Sequence, residues 1–390
     1  MSLIRMKATI SACAGLLALP VAAGCDGSRS VSRSAPPPVP AVAPAPVTTS
    51  DADVARKAWG RAMAKTRTPK AGCFKATHPS TTWEEIACVK PSSVPLRPAT
   101  GAPTSRLQVG NGGSDESSTI AVGTLGFAEG SFPQVQGVTY ETGLLGGDIF
   151  PDYSLQLNTN TSSSAPACVA GPNPSGCTGW QQFAVNQGQL VVQRWLINYW
   201  ATDPGPNPQC PDDLGYTNNG YYQNGAIVPQ YDCWSDGTSA VNLSAEFTSA
   251  DLFGVALSGQ AGIAQLGTSD QATLYFQDTV VALTTPDGSP FNLYQWWSTA
   301  EFNVFGPGGG SGAVFNYGAT IGVQTITVPS SGLAAPPSCD ATTFTAETNN
   351  LSVVANSCCA VGGENPGIFF TESNAPGATA FPCPTILSRQ

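Results

Sequence analysis

Short apolar or alternating runs of residues fill the chain between about residues 119 and 330, and Gly, Pro, Asn and Asp stand between them. Such spacing is typical of antiparallel strands joined by turns. The clearest runs are YSLQLNT, GWQQFAV, QLVVQRWLINYW, DLFGVALSGQA, QATLYFQ, TVVALTT, AEFNVFG, GAVFNYG and TIGVQTITV. The pattern predicts an all-β fold in which two antiparallel sheets pack as a sandwich.

Composition narrows the class of protein and of partner. Only 11% of the 390 residues are charged, compared with about 25% in an average soluble protein. Together with 42 Gly and 33 Pro, this indicates a secreted, turn-rich β protein. The net charge of −10 repels phosphate backbones, so nucleic acid is not expected as a partner.

The first 25 residues, MSLIRMKATISACAGLLALPVAAGC, resemble an export signal. A short basic region precedes an apolar stretch too short to span a membrane, and small residues precede Cys25. VAAGC is also similar to a bacterial lipobox, whose cysteine becomes lipidated. The sequence therefore predicts an extracellular or cell-envelope protein, either secreted freely or attached to a membrane through a lipid on Cys25.

Ten of the twelve cysteines remain once Cys13 and Cys25 are set aside, an even number for an oxidising compartment. Their spacing predicts three local disulfides, Cys73–Cys88, Cys168–Cys177 and Cys210–Cys233. Two further bridges of open connectivity are expected among Cys339, Cys358, Cys359 and Cys383. No zinc site is predicted, because these cysteines form no C-x-x-C pair.

The chain divides into a signal at 1–25, a Pro/Ser-rich linker at 26–50, a small segment at 51–105, the sandwich at 106–335 and a cysteine-containing extension at 336–390. Within the small segment, DADVARKAWGRAMAKTR predicts a helix with acidic residues at its start and basic residues at its end. That segment is interpreted as a propeptide or a docking module.

Several kinds of chemistry are excluded by the residues present. His78 is the only histidine, and no G-x-S-x-G accompanies it, which argues against a serine triad and histidine-based metal sites. No metal or cofactor is therefore predicted. GPGGGSG, from Gly306 to Gly312, lacks the Lys-Ser/Thr of a phosphate loop and is interpreted as a wide hairpin turn between two strands.

The run AEFNVF contains one acidic residue, Glu301. Strand alternation places Ala300, Phe302 and Val304 on one face, and Glu301 with Asn303 on the other. The simplest interpretation is a carboxylate on a solvent-exposed sheet face.

A glycosidase would need a second carboxylate near Glu301. The positions two and four residues further along the strand hold Asn303 and Phe305. The second acid would therefore come from another strand, for example Glu246 or Asp278.

The strand patterns resemble a known family. STAEFNVF, followed by a glycine-containing turn and GAVFNYGATIGV, resembles the glutamic-acid strand of the eqolisins, the glutamic peptidases, with their AEF or AEW signature. YSLQLNT is similar to the family's ILQTG strand, and GWQQF to the aromatic strand after it. The resemblance implies a concanavalin A- or glucanase-like sandwich (jelly roll), with Gln156 and Glu301 as the catalytic pair and Trp180 lining the cleft. Gln182 is a substrate-binding candidate where the family has an acidic residue.

The resemblance implies an acid endopeptidase with a polypeptide substrate. Glu301 would take a proton from the attacking water and return it to the leaving amine. The Gln156 amide would donate to the oxyanion, a contribution of about 3 kcal/mol when preorganised. A carboxylate base works best near the ordinary pKa of glutamate, which predicts an acidic optimum.

Two other functions remain open at this point. Aromatic side chains such as Trp180 and Trp234 stack on sugar rings as well as on peptides, so the same sheet could belong to a non-catalytic protein that binds cell-surface glycan or peptide. A glycoside hydrolase is the third possibility. The peptidase requires Gln156 and Glu301 to face one another on neighbouring strands of the concave sheet, close enough to share a water.

Overall fold

The computed structural model describes residues 51–92, 116–143, 153–212, 214–218, 221–223, 226–243, 248–262, 269–285, 291–306, 312–332, 336–341 and 349–384. The predicted signal with Cys25, the linker and Glu246 lie outside the described residues. None of the helices in the described ranges is long and apolar enough to cross a membrane.

Helices are few. The α-helices are α1 (Asp51–Lys65) and α2 (Pro166–Ala170), and the 3-10 helices are Ser249–Gly254 and Leu293–Gln295. The first strands are β1 (Gly72–Thr77), β2 (Glu84–Ile86), β3 (Glu116–Thr119), β4 (Leu125–Gln136), β5 (Glu141–Gly143), β6 (Ser154–Thr159), β7 (Thr178–Asn186), β8 (Gln189–Trp200), β9 (Gly215–Asn218), β10 (Tyr221–Gln223), β11 (Ala226–Val228) and β12 (Tyr231–Ser235). The later strands are β13 (Val241–Asn242), β14 (Val255–Gln260), β15 (Gln271–Phe276), β16 (Thr279–Thr284), β17 (Thr299–Phe305), β18 (Ala313–Phe315), β19 (Thr320–Pro329), β20 (Ser338–Ala341), β21 (Ser352–Val353), β22 (Cys359–Val361) and β23 (Gly367–Ser373).

Two large antiparallel sheets form the body of the protein, as the strand pattern predicts. The front sheet has the order β20-β3-β17-β6-β7-β8-β12-β9, with β13 also paired to β8. The back sheet has the order β2-β1-β16-β15-β14-β4-β19-β23-β21, with β22 also paired to β23. The predicted β-sandwich, with its N-terminal helix and its disulfide-containing C-terminal extension, is confirmed.

The core lies between the two sheets and is built from the alternating apolar residues of both. Phe302 of the front sheet meets Phe132 of the back sheet with ring centroids 5.0 Å apart. Gly130 on β4 lies under the same ring, and a Cβ there would come within 1.8 Å of a Phe302 ring carbon. Glycine is therefore required where the aromatic ring crosses the sandwich.

The described parts of the segments at 51–105 and 336–390, namely 51–92, 336–341 and 349–384, pair with strands of the sandwich. Strand β1 pairs with β16, while β20 pairs with β3 at the edge of the front sheet. Residues 49–390 form one compact unit. Composition separates these segments from the sandwich, but strand pairing joins them, because backbone hydrogen bonds do not depend on residue type.

The three predicted local disulfides are confirmed. The structure also settles the remaining four cysteines, as Cys339–Cys358 and Cys359–Cys383. Cys339 lies on β20 of the front sheet, whereas Cys358 directly precedes β22 beside the back sheet. This bridge links the edges of the two sheets.

The predicted hairpin around Gly306–Gly312 is wrong. β17 ends at Phe305, and β18 begins at Ala313, but β18 pairs with β5 in a separate two-stranded sheet. Since β17 already has β3 and β6 as neighbours, its edges are occupied over most of its length. A glycine run between two strands indicates a turn but does not show that the strands pair.

Candidate active site

A row of polar side chains crosses the outward face of the front sheet. Leu155 and Leu157 of β6 point into the core, so Gln156 and Asn158 point outward. Asn158 lies directly opposite Glu301 on β17 and opposite Gln182 on β7.

Gln182 in turn lies opposite Gln193 on β8. Residues directly opposite in antiparallel strands share a face. We call Glu301, Asn158, Gln182 and Gln193 the polar row.

Gln156 and Glu301 lie on the same face of adjacent strands. Gln156 is opposite Asn303, two residues further along β17 than Glu301. Such diagonal neighbours have Cβ atoms roughly 7–8 Å apart, within reach of long side chains. The structure thus brings together the two residues that the resemblance selects.

Hydrogen bonds connect the pair through two amides. Asn158 Nδ2 donates to Glu301 Oε2 at 2.8 Å, and Gln182 Nε2 donates to Asn158 Oδ1 at 2.9 Å. Gln182 Nε2 also donates to Gln156 Oε1 at 2.7 Å. In the bonds from Gln182 to Asn158 and from Asn158 to Glu301, the amide nitrogen is the donor and the carboxylate is the final acceptor.

The amide of Gln156 is held from its other end. Its Nε2 donates to Ser154 Oγ at 2.7 Å, and that hydroxyl donates to the carbonyl of Gly306 at 2.7 Å. A primary amide carries two N–H donors. One therefore fixes the side chain while the second can serve a substrate oxygen.

The site residues are buried, so the expectation of a solvent-exposed Glu301 is wrong. Glu301, Gln182 and Trp180 are 0% exposed and Gln156 is 1% exposed. Alternation shows which face a side chain is on but not what covers that face. Part of the cover is Val89, which packs on Ala184 and Val191 next to the polar row.

A row of tryptophans runs beside the polar row. Trp180 lies opposite Trp195, which lies opposite Trp234 on β12. The rings of Trp195 and Trp234 stack with centroids 5.4 Å apart, and Trp234 is only half-buried. Trp180 is fixed by its indole N–H, which donates to the carbonyl of Thr159 at 3.0 Å. Of the three rings only Trp234 is partly exposed, so the tryptophan row lies largely beneath the surface of this face.

Gln182 is the branch point of the network, and its replacement tests the network's contribution to stability. Gln182→Met removes the donor to both Gln156 and Asn158 and leaves two buried acceptors unpaired. We expect the free energy of unfolding to fall by about 2–3 kcal/mol, measured by urea titration with the disulfides intact. Gln295→Met, at an exposed glutamine, is the control. Equal stabilities of the two variants would contradict the role assigned to Gln182.

Asp236 is a further carboxyl on this face that the sequence interpretation missed. It is buried just after β12, and Gln193 Nε2 donates to its Oδ1 at 2.5 Å. Burial raises the pKa of Asp236 to about 6, although the bond from Gln193 opposes the shift. The strand pattern YDCWS just before Asp236 could have suggested a carboxyl near the sheet. The hydrogen bond between Asp236 and Gln193 could not be predicted, because it depends on the pairing of β12 with β8.

The raised pKa of Asp236 predicts how stability depends on pH. Since the folded protein holds this proton more tightly than the unfolded chain, the contribution of Asp236 to stability is fully present below about pH 4 and is lost as pH rises through about 6. Asp236→Asn should abolish a loss of roughly 2–3 kcal/mol over that interval. Unfolding free energies of the parent and the variant at several pH values measure the difference, and parallel curves would contradict it.

Of the two acids suggested as the second carboxyl of a glycosidase, Glu246 lies outside the described residues and Asp278 lies on the back sheet. Asp278 lies in the turn between β15 and β16 of the back sheet, where it pairs with Arg56 at 2.9 Å.

A buried carboxyl does approach this face: Glu372 of β23 accepts from Asn303 Nδ2 at 2.9 Å through its Oε2 atom, and Asn303 lies two residues after Glu301 on the same face of β17. In register with Glu301, Asp340 lies two strands away across Ser117.

Comparison of the chain with known protein families, with curated proteins and with solved structures found no match. The similarity to the eqolisins therefore rests on the strand motifs and on the residues that the sheet brings together.

Proposed function

We propose that the protein is a glutamic-type acid endopeptidase, with Glu301 as general base and acid and Gln156 as oxyanion donor. The observation that supports it best is the placement of both side chains on one face of adjacent strands, joined through Asn158 and Gln182. The strand motifs select the same two residues as the catalytic pair.

The proposed reaction uses each side chain for one task. Asn158 orients the carboxylate by donating to Oε2, and Glu301 takes a proton from water as the water attacks the peptide carbonyl. The Gln156 amide stabilises the resulting oxyanion. Glu301 then passes the proton to the leaving amine. Because the site is buried, these interactions act in a lower effective dielectric than in water.

We assign substrate binding to Trp180 in the tryptophan row and to the side-chain amide of Gln182. Trp180 lines the cleft, and the Oε1 atom of Gln182 has no hydrogen-bond partner among the described residues. A buried acceptor of this kind is costly unless it gains a donor, and a peptide N–H is such a donor. We assign Gln182 to this contact.

A second candidate is a non-catalytic protein that binds glycan or peptide on the same face. The stacked tryptophans favour it, since flat aromatic rings next to amides suit sugar recognition as well as peptide recognition. In this case the hydrogen bonds of Glu301 would serve only to hold neighbouring strands of the front sheet in place.

The compartment follows from the cysteines. Five disulfides among the described residues favour an oxidising environment. We include export, either with or without a lipid on Cys25, in the proposal.

One experiment separates the two candidates. The full chain is incubated with an unfolded protein at about pH 3–4, near the reference pKa of glutamate, and mass spectrometry identifies new peptide termini. Cleavage that is absent at neutral pH supports the peptidase. No cleavage at any pH, together with saturable binding of a glycan by the same protein, would overturn the peptidase in favour of the binding protein.

A further inference from the structure

A cavity lies between α1 and the outward face of the back sheet. Its volume is about 110 Å³. Helix α1 approaches the sheet closely because Gly60 packs on the ring of Tyr275, where a Cβ would come within 2.6 Å of a ring carbon. Trp59 and Met63 bury the rest of this interface.

Two cationic side chains of α1 line the cavity, but only one has a counter-charge. Arg61 Nε contacts Glu129 Oε1 at 3.0 Å. Among the described residues no carboxylate lies within ion-pair distance of Lys57. Lys57 Nζ instead lies 3.6 Å from the centroid of the Phe253 ring and 3.5 Å from the Phe253 carbonyl oxygen.

The surroundings of Lys57 disfavour the protonated form of its side chain. Burial lowers the pKa of Lys57, Arg61 lowers it further, and Asp53 acts in the opposite direction. The half-buried ammonium lies beside a second cation, and Asp53 offsets only part of the resulting destabilisation of its charged form. Since Arg61 already contacts Glu129, Lys57 is the cation of this cavity that an anionic ligand would pair with.

The rest of the cavity wall is mainly apolar, and its size limits the ligand. The apolar lining residues are Phe132, Pro133, Phe253, Val255, Ala256 and Tyr275. An apolar cavity of roughly 150 Å³ holds one benzene molecule, so this smaller space suits a short aliphatic chain.

We propose that this cavity binds a small aliphatic monocarboxylate, with its carboxylate between Lys57 and Arg61 and its chain against Phe253 and Tyr275. A phosphate dianion fits less well, because Glu129 would repel the second charge. A cationic ligand is disfavoured, because Lys57 and Arg61 would repel it. The inference does not depend on the peptidase proposal, since no residue is shared between the two sites.

Butyrate is the probe, and calorimetric titration into the full chain is the measurement. We expect saturable binding with a Kd on the order of 1 mM. Butyramide, which has the same shape without the charge, should bind at least about tenfold more weakly, since charge-assisted bonds are the stronger ones.

Lys57→Met should weaken butyrate binding at least about tenfold, because it keeps the length of the side chain and removes the charge. Lys65→Met is the matched control, because Lys65 is on the same helix but outside the cavity and is bonded to Asn365. This control should bind butyrate like the parent. Urea titration of both variants checks that α1 remains folded.

Nitrogen NMR of labelled lysines gives a readout that does not require a variant. Bound butyrate should raise the pKa of Lys57, because the carboxylate stabilises the charged ammonium. The proposal is overturned if the parent shows no saturable binding, if butyramide binds equally well, or if Lys57→Met binds like the parent.

Discussion

Glu301→Gln is expected to abolish peptide hydrolysis while the protein remains folded. Glutamine is almost the same size, and its carbonyl oxygen can still accept from Asn158, but it cannot take a proton from water. Loss of a positioned general base lowers kcat by about 10²–10⁴-fold. Single-turnover cleavage of an unfolded protein at acidic pH measures the effect directly.

Two control variants distinguish the loss of a catalytic carboxylate from the loss of any other carboxylate. Asp270→Asn removes another buried carboxylate, which accepts from Gln181 on β7 at 2.9 Å. Glu364→Gln repeats the same exchange at an exposed position. Activity per folded molecule should remain at the parent level in both. Full activity of Glu301→Gln would refute the assignment of Glu301.

Gln156→Met is expected to have the second largest effect, a fall in kcat of about 10²–10³-fold. Methionine fills a similar volume but offers no N–H to the oxyanion. Because that donor acts on charge that develops in the transition state, KM should change much less than kcat. Steady-state kinetics on a single peptide substrate distinguishes the two parameters.

Gln324→Met is the control for Gln156→Met, since it removes a mostly buried glutamine from β19 of the back sheet. A fall in activity of the same size in both variants would indicate a general loss of packing. A larger change in KM than in kcat for Gln156→Met would instead assign Gln156 to substrate binding.

Most of the strands could be predicted from the sequence, because alternation follows directly from the pleat. AEFNVFG, QLVVQRWLINYW and QATLYFQ all lie on strands close to the predicted bounds. DLFGVALSGQA was less accurate, since its first residues form a 3-10 helix, Ser249–Gly254. The Asp251 carboxylate accepts hydrogen bonds from the backbone N–H and the hydroxyl of Thr248, which cap that helix, and an apolar pattern does not reveal them.

The candidate site was predictable only in part. The strand motifs selected Gln156, Glu301, Trp180 and Gln182, and local alternation placed Glu301 on the face away from the core. Asn158 and Gln193 had no such signal, because their roles depend on which residues lie opposite them in β17 and β7. Register is a property of paired strands, and a shift of one residue would reverse every face.

The sequence by itself determined the sandwich class, the export-type composition and three of the disulfides, because each depends on local pattern or short spacing. The tertiary structure decided three further features, namely the burial of Glu301, the bonds that join it to Gln156, and the cavity in which Lys57 has no ion-pair partner among the described residues. These features depend on contacts between segments far apart in the chain. Packing and strand pairing create those contacts, whereas the periodicity of one strand carries no information about its neighbours.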